Sequence, residues 1–140
     1  MNKLAYVLVS TLSLSACISG VKTDHVPLHE DNLLLNPYDR IGNRPEVLLT
    51  AQLKGRLTFD GKCLQVTGTN SSVTPLWPEG TKVENSENEK RLILPDNRGS
   101  AKIGSTVSIG GAAFLDEQSA QLPANPERCP RPFFGVSTAD

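Results

Sequence analysis

The feature that most constrains the fold is an alternation of apolar and polar residues over residues 47–59. A period of two over this length predicts a long, half-buried strand, and the glycine within it, Gly55, indicates a bend or bulge. The apolar members of the series are Leu49, Ala51, Leu53, Leu57 and Phe59. Asp60-Gly61-Lys62 then predicts a tight turn into a return strand at residues 63–67. The globular part of the chain is therefore expected to begin with a β-hairpin.

Turn signals recur along the rest of the chain, which contains 11 glycines and 10 prolines. These residues disfavour helices, and no window has a convincing helical period. Residues 84–90 are charged and are predicted as an exposed connection. Further short strands are predicted at residues 72–77, 91–94, 101–103, 106–109 and 133–136. About six or seven short strands predict an all-β domain over residues 47–140. We expect a small, partly open barrel of the OB type, with a small β-sandwich as the alternative.

The first residues of the chain have the features of an export signal. Lys3 precedes an apolar run from Leu4 to Leu14, well short of the roughly 20 residues that span a bilayer. Leu14-Ser15-Ala16-Cys17 resembles the lipobox of bacterial lipoproteins, in which the chain is cut before the cysteine and diacylglycerol alkylates the thiol. The sequence predicts a signal peptide at residues 1–16, cleavage between Ala16 and Cys17, and lipidation of Cys17. The alternative is an ordinary signal peptide that is cut elsewhere.

Lipidation at Cys17 predicts a protein held on a membrane surface, because two or three acyl chains anchor stably. The bilayer is thus the first predicted partner. In bacterial lipoproteins, an aspartate directly after the acylated cysteine favours the inner membrane. Ile18 and Ser19 stand here instead, which favours the outer membrane and a periplasm-facing domain. Residues 17–46 are predicted as the lipidated cysteine and a flexible tether. Within the tether, residues 33–35 and Tyr38 are expected to dock on the domain as an edge strand or a turn of helix.

Charge argues against nucleic acid as a partner. The chain has a net charge of −1 and no cluster of lysines and arginines. Binding to nucleic acid needs such a cluster to neutralise phosphates. We therefore predict no nucleic-acid partner.

Three cysteines are present, at positions 17, 63 and 129. If Cys17 is lipidated, Cys63 and Cys129 remain as a pair in an oxidising compartment, where we expect them to form a disulfide. Two free buried thiols are one alternative, and a metal site is another. Metal binding is disfavoured because no histidine lies near either cysteine in sequence and the pair is not a C-x-x-C motif.

Residues 55–136 resemble a recurrent domain of small exported bacterial proteins, often lipoproteins of unassigned function. The resemblance is carried by Gly55-Arg56-Leu57, Gly61, Cys63-Leu64, Leu76-Trp77-Pro78-Glu79-Gly80-Thr81, Asp96-Asn97-Arg98-Gly99, Ile103-Gly104-Ser105-Thr106-Val107, Gly110-Gly111, Cys129 and Phe134. The Trp-Pro-x-Gly-Thr segment is its most specific part. The resemblance implies a β domain with a bridge between Cys63 and Cys129, and it transfers no catalytic residue.

Trp77 and Glu79 are the candidates for a ligand-binding surface. Trp77 is the only tryptophan and precedes a Pro-Glu-Gly turn, so it is either an aromatic platform for a sugar or peptide or a plug at one end of the barrel. The sequence favours the plug, with the indole N–H bonded to a carbonyl. His25 and His29 are four residues apart, but Pro27 lies between them. No metal site and no cofactor are therefore predicted.

No catalytic constellation is apparent. Both histidines lie in the predicted tether, and no G-x-S-x-G nucleophile motif occurs. Pairs of carboxylates occur in any acidic domain and indicate nothing by themselves. We predict no catalytic residue and favour a non-enzymatic module that binds an envelope protein or polymer. The alternative is a small envelope enzyme or enzyme inhibitor with Trp77 and nearby acids in a cleft.

Overall fold

The computed structural model describes residues 26–37, 51–113, 125 and 127–140. Two short 3-10 turns occur in this part of the chain, at Glu30–Asn32 and Pro95–Asn97. The strands are β1 (Ala51–Phe59), β2 (Leu64–Thr67), β3 (Ser72–Leu76), β4 (Lys82–Asn85), β5 (Lys90–Ile93), β6 (Ser100–Lys102), β7 (Thr106–Ala113) and β8 (Phe133–Ala139). The prediction of an all-β domain is confirmed.

Five strands close into a barrel in the order β1-β2-β3-β8-β7. The long strand β1 joins two neighbours, because residues 51–56 pair with β7 and residues 56–59 pair with β2. Neighbouring strands are antiparallel, except that β3 and β8 run parallel. This is the strand order of the OB fold, a five-stranded Greek-key barrel. The expectation of a small OB-like barrel is confirmed, and the pairing of β3 with β8 completes its ring.

The barrel interior is filled by alternate residues of its strands, as the period of two predicts. Leu57, Val66, Val107, Ile109 and Val136 are each no more than 2% exposed. A Cβ atom at Gly55 would lie 2.6 Å from the carbonyl oxygen of Thr67. Glycine at this position therefore permits the close approach of β1 to β2.

A second sheet, in the order β4-β5-β6, is inserted between β3 and β7 in the sequence. Leu92, Leu94 and Ala101 belong to the same buried cluster as the barrel residues, so this sheet packs on the barrel. The sequence predicted an exposed connection at residues 84–90, but the segment is a hairpin between β4 and β5. The backbone N–H of Ser86 donates to the carbonyl of Glu89 (2.7 Å) and closes the turn.

Residues 26–37, expected within the flexible tether, dock on the domain. Leu28 is fully buried and Leu33 is 7% exposed, and both belong to the core cluster. Leu35 forms a parallel bridge with Trp77, and the Glu30–Asn32 turn precedes it, so the docked segment contains both an edge pairing and a helical turn. The other parts of the expected tether, residues 17–25 and 38–46 with Tyr38, lie outside the described residues.

Candidate functional site

A disulfide joins Cys63 to Cys129, with an S–S distance of 2.06 Å. It connects the β1–β2 turn to the segment that leads into β8, and each cysteine is only 5% exposed. Asp60 Oδ1 accepts from the backbone N–H of Cys63 (2.7 Å), and Asn125 Oδ1 accepts from that of Cys129 (2.9 Å). The prediction of a disulfide is confirmed, and the alternatives of free thiols or a metal site at this pair are excluded.

Trp77 is fully buried and so has no ring face available on the surface for a ligand. The docked segment pairs with its backbone, because Trp77 N donates to Leu34 O (2.7 Å) and Asn36 N donates to Trp77 O (2.7 Å). Its burial therefore corrects the idea of an aromatic platform, and the favoured interpretation of a plug at one end of the barrel stays a prediction. The carbonyl acceptor that was expected for the indole N–H is not found among the described residues. Glu79 is exposed on the turn after Trp77 and remains on the surface.

The predicted cleavage and lipidation site at Ala16 and Cys17 lies outside the described residues. Within residues 26–37, 51–113, 125 and 127–140, no three His, Cys, Asp or Glu side chains are grouped as metal ligands. The same residues include no helix with the length and hydrophobicity needed to cross a bilayer.

A cleft of about 520 Å³ lies between the barrel and the inserted sheet. We call it the β1–hairpin cleft. Its volume lies within the range of about 300–1,000 Å³ typical of small-molecule sites. Its lining comes from three elements, which are β1, the β4–β5 hairpin and the β6–β7 turn: Arg56, Thr58, Phe59, Ser86, Glu87, Asn88, Glu89, Lys90, Ile103 and Gly104. A second cavity of about 700 Å³ is lined by the β4–β5 hairpin alone. The β1–hairpin cleft is the candidate site because three separate parts of the fold line it.

Glu89 is held at the cleft by two cations. Its Oε1 lies 2.7 Å from Arg91 Nη2, and its Oε2 lies 2.9 Å from Lys102 Nζ. The hydrogen bond from Lys102 and the positive charges of Lys102 and Arg91 hold the pKa of the Glu89 carboxyl below its ordinary value of 4.5, against an opposing effect of desolvation. Glu89 is therefore ionised at neutral pH and already neutralised by its neighbours.

Two further charged groups of the cleft have no ion-pair or hydrogen-bond partner among the described residues. These are the exposed side chains of Arg56 on β1 and Glu87 at the tip of the hairpin. Lys90, by contrast, donates from Nζ to the carbonyl of Val26 (2.6 Å). Within the described part of the chain, Arg56 and Glu87 are thus the lining charges without a partner, and they are the candidates for contact with a ligand.

The pairing between β1 and β7 ends next to the cleft. Leu57 N donates to Ser105 O (2.9 Å), and Gly104 N donates to Leu57 O (2.7 Å). In an antiparallel ladder, alternate residues direct their backbone groups to the same neighbour, so Phe59 is the next position on this edge. No described strand continues beside Phe59, since β7 begins opposite Arg56. Phe59 is therefore a strand-edge position that lines the cleft and has no described strand beside it.

Sequence reasoning missed this site. Arg56 was placed within the long strand and Glu87 within a charged connection, and no motif joins them. The missing information was the position of the β4–β5 hairpin relative to β1, which depends on long-range packing. The alternation in β1 did indicate that Arg56 points away from the barrel core, and that was the available signal.

Replacing Glu89 with glutamine is expected to weaken the inserted sheet in a pH-dependent manner. Because the folded-state pKa of Glu89 lies below its unfolded value, its ionisation stabilises the fold above about pH 4.5, and this contribution is lost as the pH falls through the folded pKa. Urea unfolding at pH 7 and pH 3 should give a difference between wild type and Glu89→Gln that is larger at pH 7. Glu84→Gln is the control, since Glu84 has no ion pair among the described residues. An equal difference at both pH values would contradict this assignment.

Comparison with known proteins gave no relative on which to base an identification. No protein-family model, no curated protein and no solved structure matches this chain.

Proposed function

We propose that this chain is a lipid-anchored, non-enzymatic binding module of the bacterial cell envelope. The observation that carries the proposal is the disulfide between Cys63 and Cys129. Disulfides persist in exported proteins and are rare in the cytosol. The lipobox-like sequence that ends at Cys17 supplies the corresponding route of export.

Binding is supported by the β1–hairpin cleft. Its lining includes the half-buried apolar residues Phe59 and Ile103, two charges of opposite sign without a described partner, and a strand edge without a described neighbour. This combination suits recognition of a ligand, and the partner is proposed to be an envelope protein or polymer. The alternative of an enzyme or inhibitor with Trp77 in a cleft receives no support, because Trp77 is buried.

The outer membrane, with the domain facing the periplasm, is the proposed location. The residues after Cys17 are Ile18 and Ser19, and neither carries the charge that favours inner-membrane retention. This part of the proposal applies to a bacterium with two membranes.

Metabolic labelling with palmitate tests the anchor. The full chain expressed in bacteria should incorporate the label and fractionate with membranes. Its mass should be that of a mature chain that begins at acylated Cys17. Cys17→Ala should lose the label completely, because no other group replaces the thiolate in the alkylation step. Chemical crosslinking of the labelled membranes should then give a reproducible partner.

Ser19→Ala is the matched control, since it changes a neighbouring residue and leaves the four-residue box intact. It should retain the label and the membrane location. An unlabelled wild-type chain, or one isolated with residues 1–16 attached, would overturn the lipid anchor. Labelled membranes without a reproducible crosslinked partner at native abundance would overturn the binding role.

A further inference from the structure

We propose that the β1–hairpin cleft binds a short peptide that carries a free carboxylate, a free ammonium group and small apolar side chains between them. The inference deepens the proposed binding function and rests on it. It is drawn from the charges, the floor and the strand edge of the cleft.

The charges determine the two ends of the ligand. Arg56 has a planar guanidinium that can hold a carboxylate through two parallel hydrogen bonds, and no described residue occupies it. Glu87 is the corresponding acceptor for an ammonium group. Glu89 does not compete for that ammonium, because Arg91 and Lys102 already contact both of its carboxylate oxygens. A ligand with opposite charges at its ends would complement both available groups.

The floor determines the middle of the ligand. Phe59 and Ile103 are partly buried and pack against the core cluster, so their exposed parts are apolar and held in place. Small apolar side chains would cover this surface and remove it from water. A purely hydrocarbon ligand is disfavoured because Arg56, Glu87, Glu89 and Lys90 surround the floor.

The strand edge distinguishes a peptide from other zwitterions. The backbone N–H and carbonyl of Phe59 point to the same side of β1 as those of Leu57, which pair with Ser105 and Gly104. No described strand pairs with this side of β1 at Phe59. An extended peptide can extend such an edge through main-chain hydrogen bonds. A nucleic acid is disfavoured because the unpaired carboxylate of Glu87 would repel its phosphates.

Calorimetric titration of the full chain in detergent micelles tests the proposal. The probe is trialanine, which has free ends and small side chains. Arg56→Gln and Glu87→Gln should each weaken its binding by about tenfold or more, because each removes a charge-assisted hydrogen bond. Trialanine amide should be insensitive to Arg56→Gln, and N-acetyl trialanine should be insensitive to Glu87→Gln, since each of these probes already lacks the matching end.

Lys54→Gln and Glu84→Gln are the matched controls, because neither side chain lines the cleft. They should bind trialanine as the wild type does. Arg56 and Glu87 are exposed and have no partner among the described residues, so their variants should keep the wild-type melting temperature. The proposal is overturned if trialanine binds no better than its doubly blocked form, or if the cleft variants bind like the controls.

The two proposals fail in different ways. If the chain incorporates palmitate but does not bind trialanine, the ligand class is overturned and the lipid anchor stands. Trialanine binding by a chain that incorporates no palmitate would leave the cleft assignment standing and overturn the anchor.

Discussion

Replacing Gly99 with alanine is expected to lower the free energy of unfolding by about 3–5 kcal/mol. Gly99 has a φ of +110°, and a Cβ atom there would overlap the backbone carbonyl of Ala139. This contact joins the turn before β6 to the end of β8, because Gly99 bridges Ala139 and Ala139 N donates to Arg98 O (3.1 Å). Alanine would have to separate the inserted sheet from the barrel.

Gly104→Ala provides a matched control for this prediction. Gly104 also has a positive φ, of +84°, but no atom lies within 4 Å of the position of a Cβ atom. The Gly104→Ala substitution should lower the free energy of unfolding by only about 1–2 kcal/mol, which is the strain of an alanine in the left-handed conformation. Urea unfolding followed by circular dichroism measures both variants. Equal losses of stability would mean that the Gly99–Ala139 contact contributes little.

Removing the disulfide is expected to destabilise the fold by roughly 4 kcal/mol in the chain-entropy description of its 66-residue loop. The bridge restricts the unfolded chain, and for a small domain this is a large fraction of a total of about 5–15 kcal/mol. The double variant Cys63→Ala with Cys129→Ala, unfolded in urea, measures the effect without leaving a free thiol at either position.

Reduction of the wild-type protein provides the control for the double variant. The reduced wild type should lose a similar free energy of unfolding, whereas a reducing agent should leave the variant unchanged. A loss below about 1 kcal/mol in both experiments would assign the stability of the fold to its core and not to the bridge.

Local sequence patterns predicted most of the barrel. Alternation over residues 47–59 corresponds to β1 in its described part, and Asp60-Gly61-Lys62 does form the turn into β2. The turn at residues 96–99 is also present, with Asp96 and Asn97 at positive φ. These predictions succeed because strand period and turn residues act over a few positions.

Two parts of the fold have weaker local signals. β4 was not predicted, because its four residues are mostly exposed and its pairing with β5 supplies their structure. The docked segment at residues 26–37 was described as tether, although an edge strand or helical turn was anticipated within it. Leu28 and the run Leu33–Leu35 are short apolar features in a polar stretch, and only the surface that Leu28 and Leu33 cover makes these two core residues.

The candidate site illustrates the same limit. The residues chosen from the sequence, Trp77 and Glu79, were chosen for chemical type, and burial removed Trp77 from consideration. The residues that line the β1–hairpin cleft come from three separated segments of the chain. Their proximity follows from how the inserted sheet packs on the barrel, which no spacing in the sequence encodes directly.

The sequence by itself determined the fold class, the principal turns and the pairing of Cys63 with Cys129, because these depend on local periodicity, on backbone conformation and on the number of cysteines. Only the tertiary structure decided that the barrel is closed, that residues 26–37 belong to the domain, and that Arg56 and Glu87 line one cleft. Those features require contacts between residues far apart in the chain, and such contacts form only when the core that brings them together is packed.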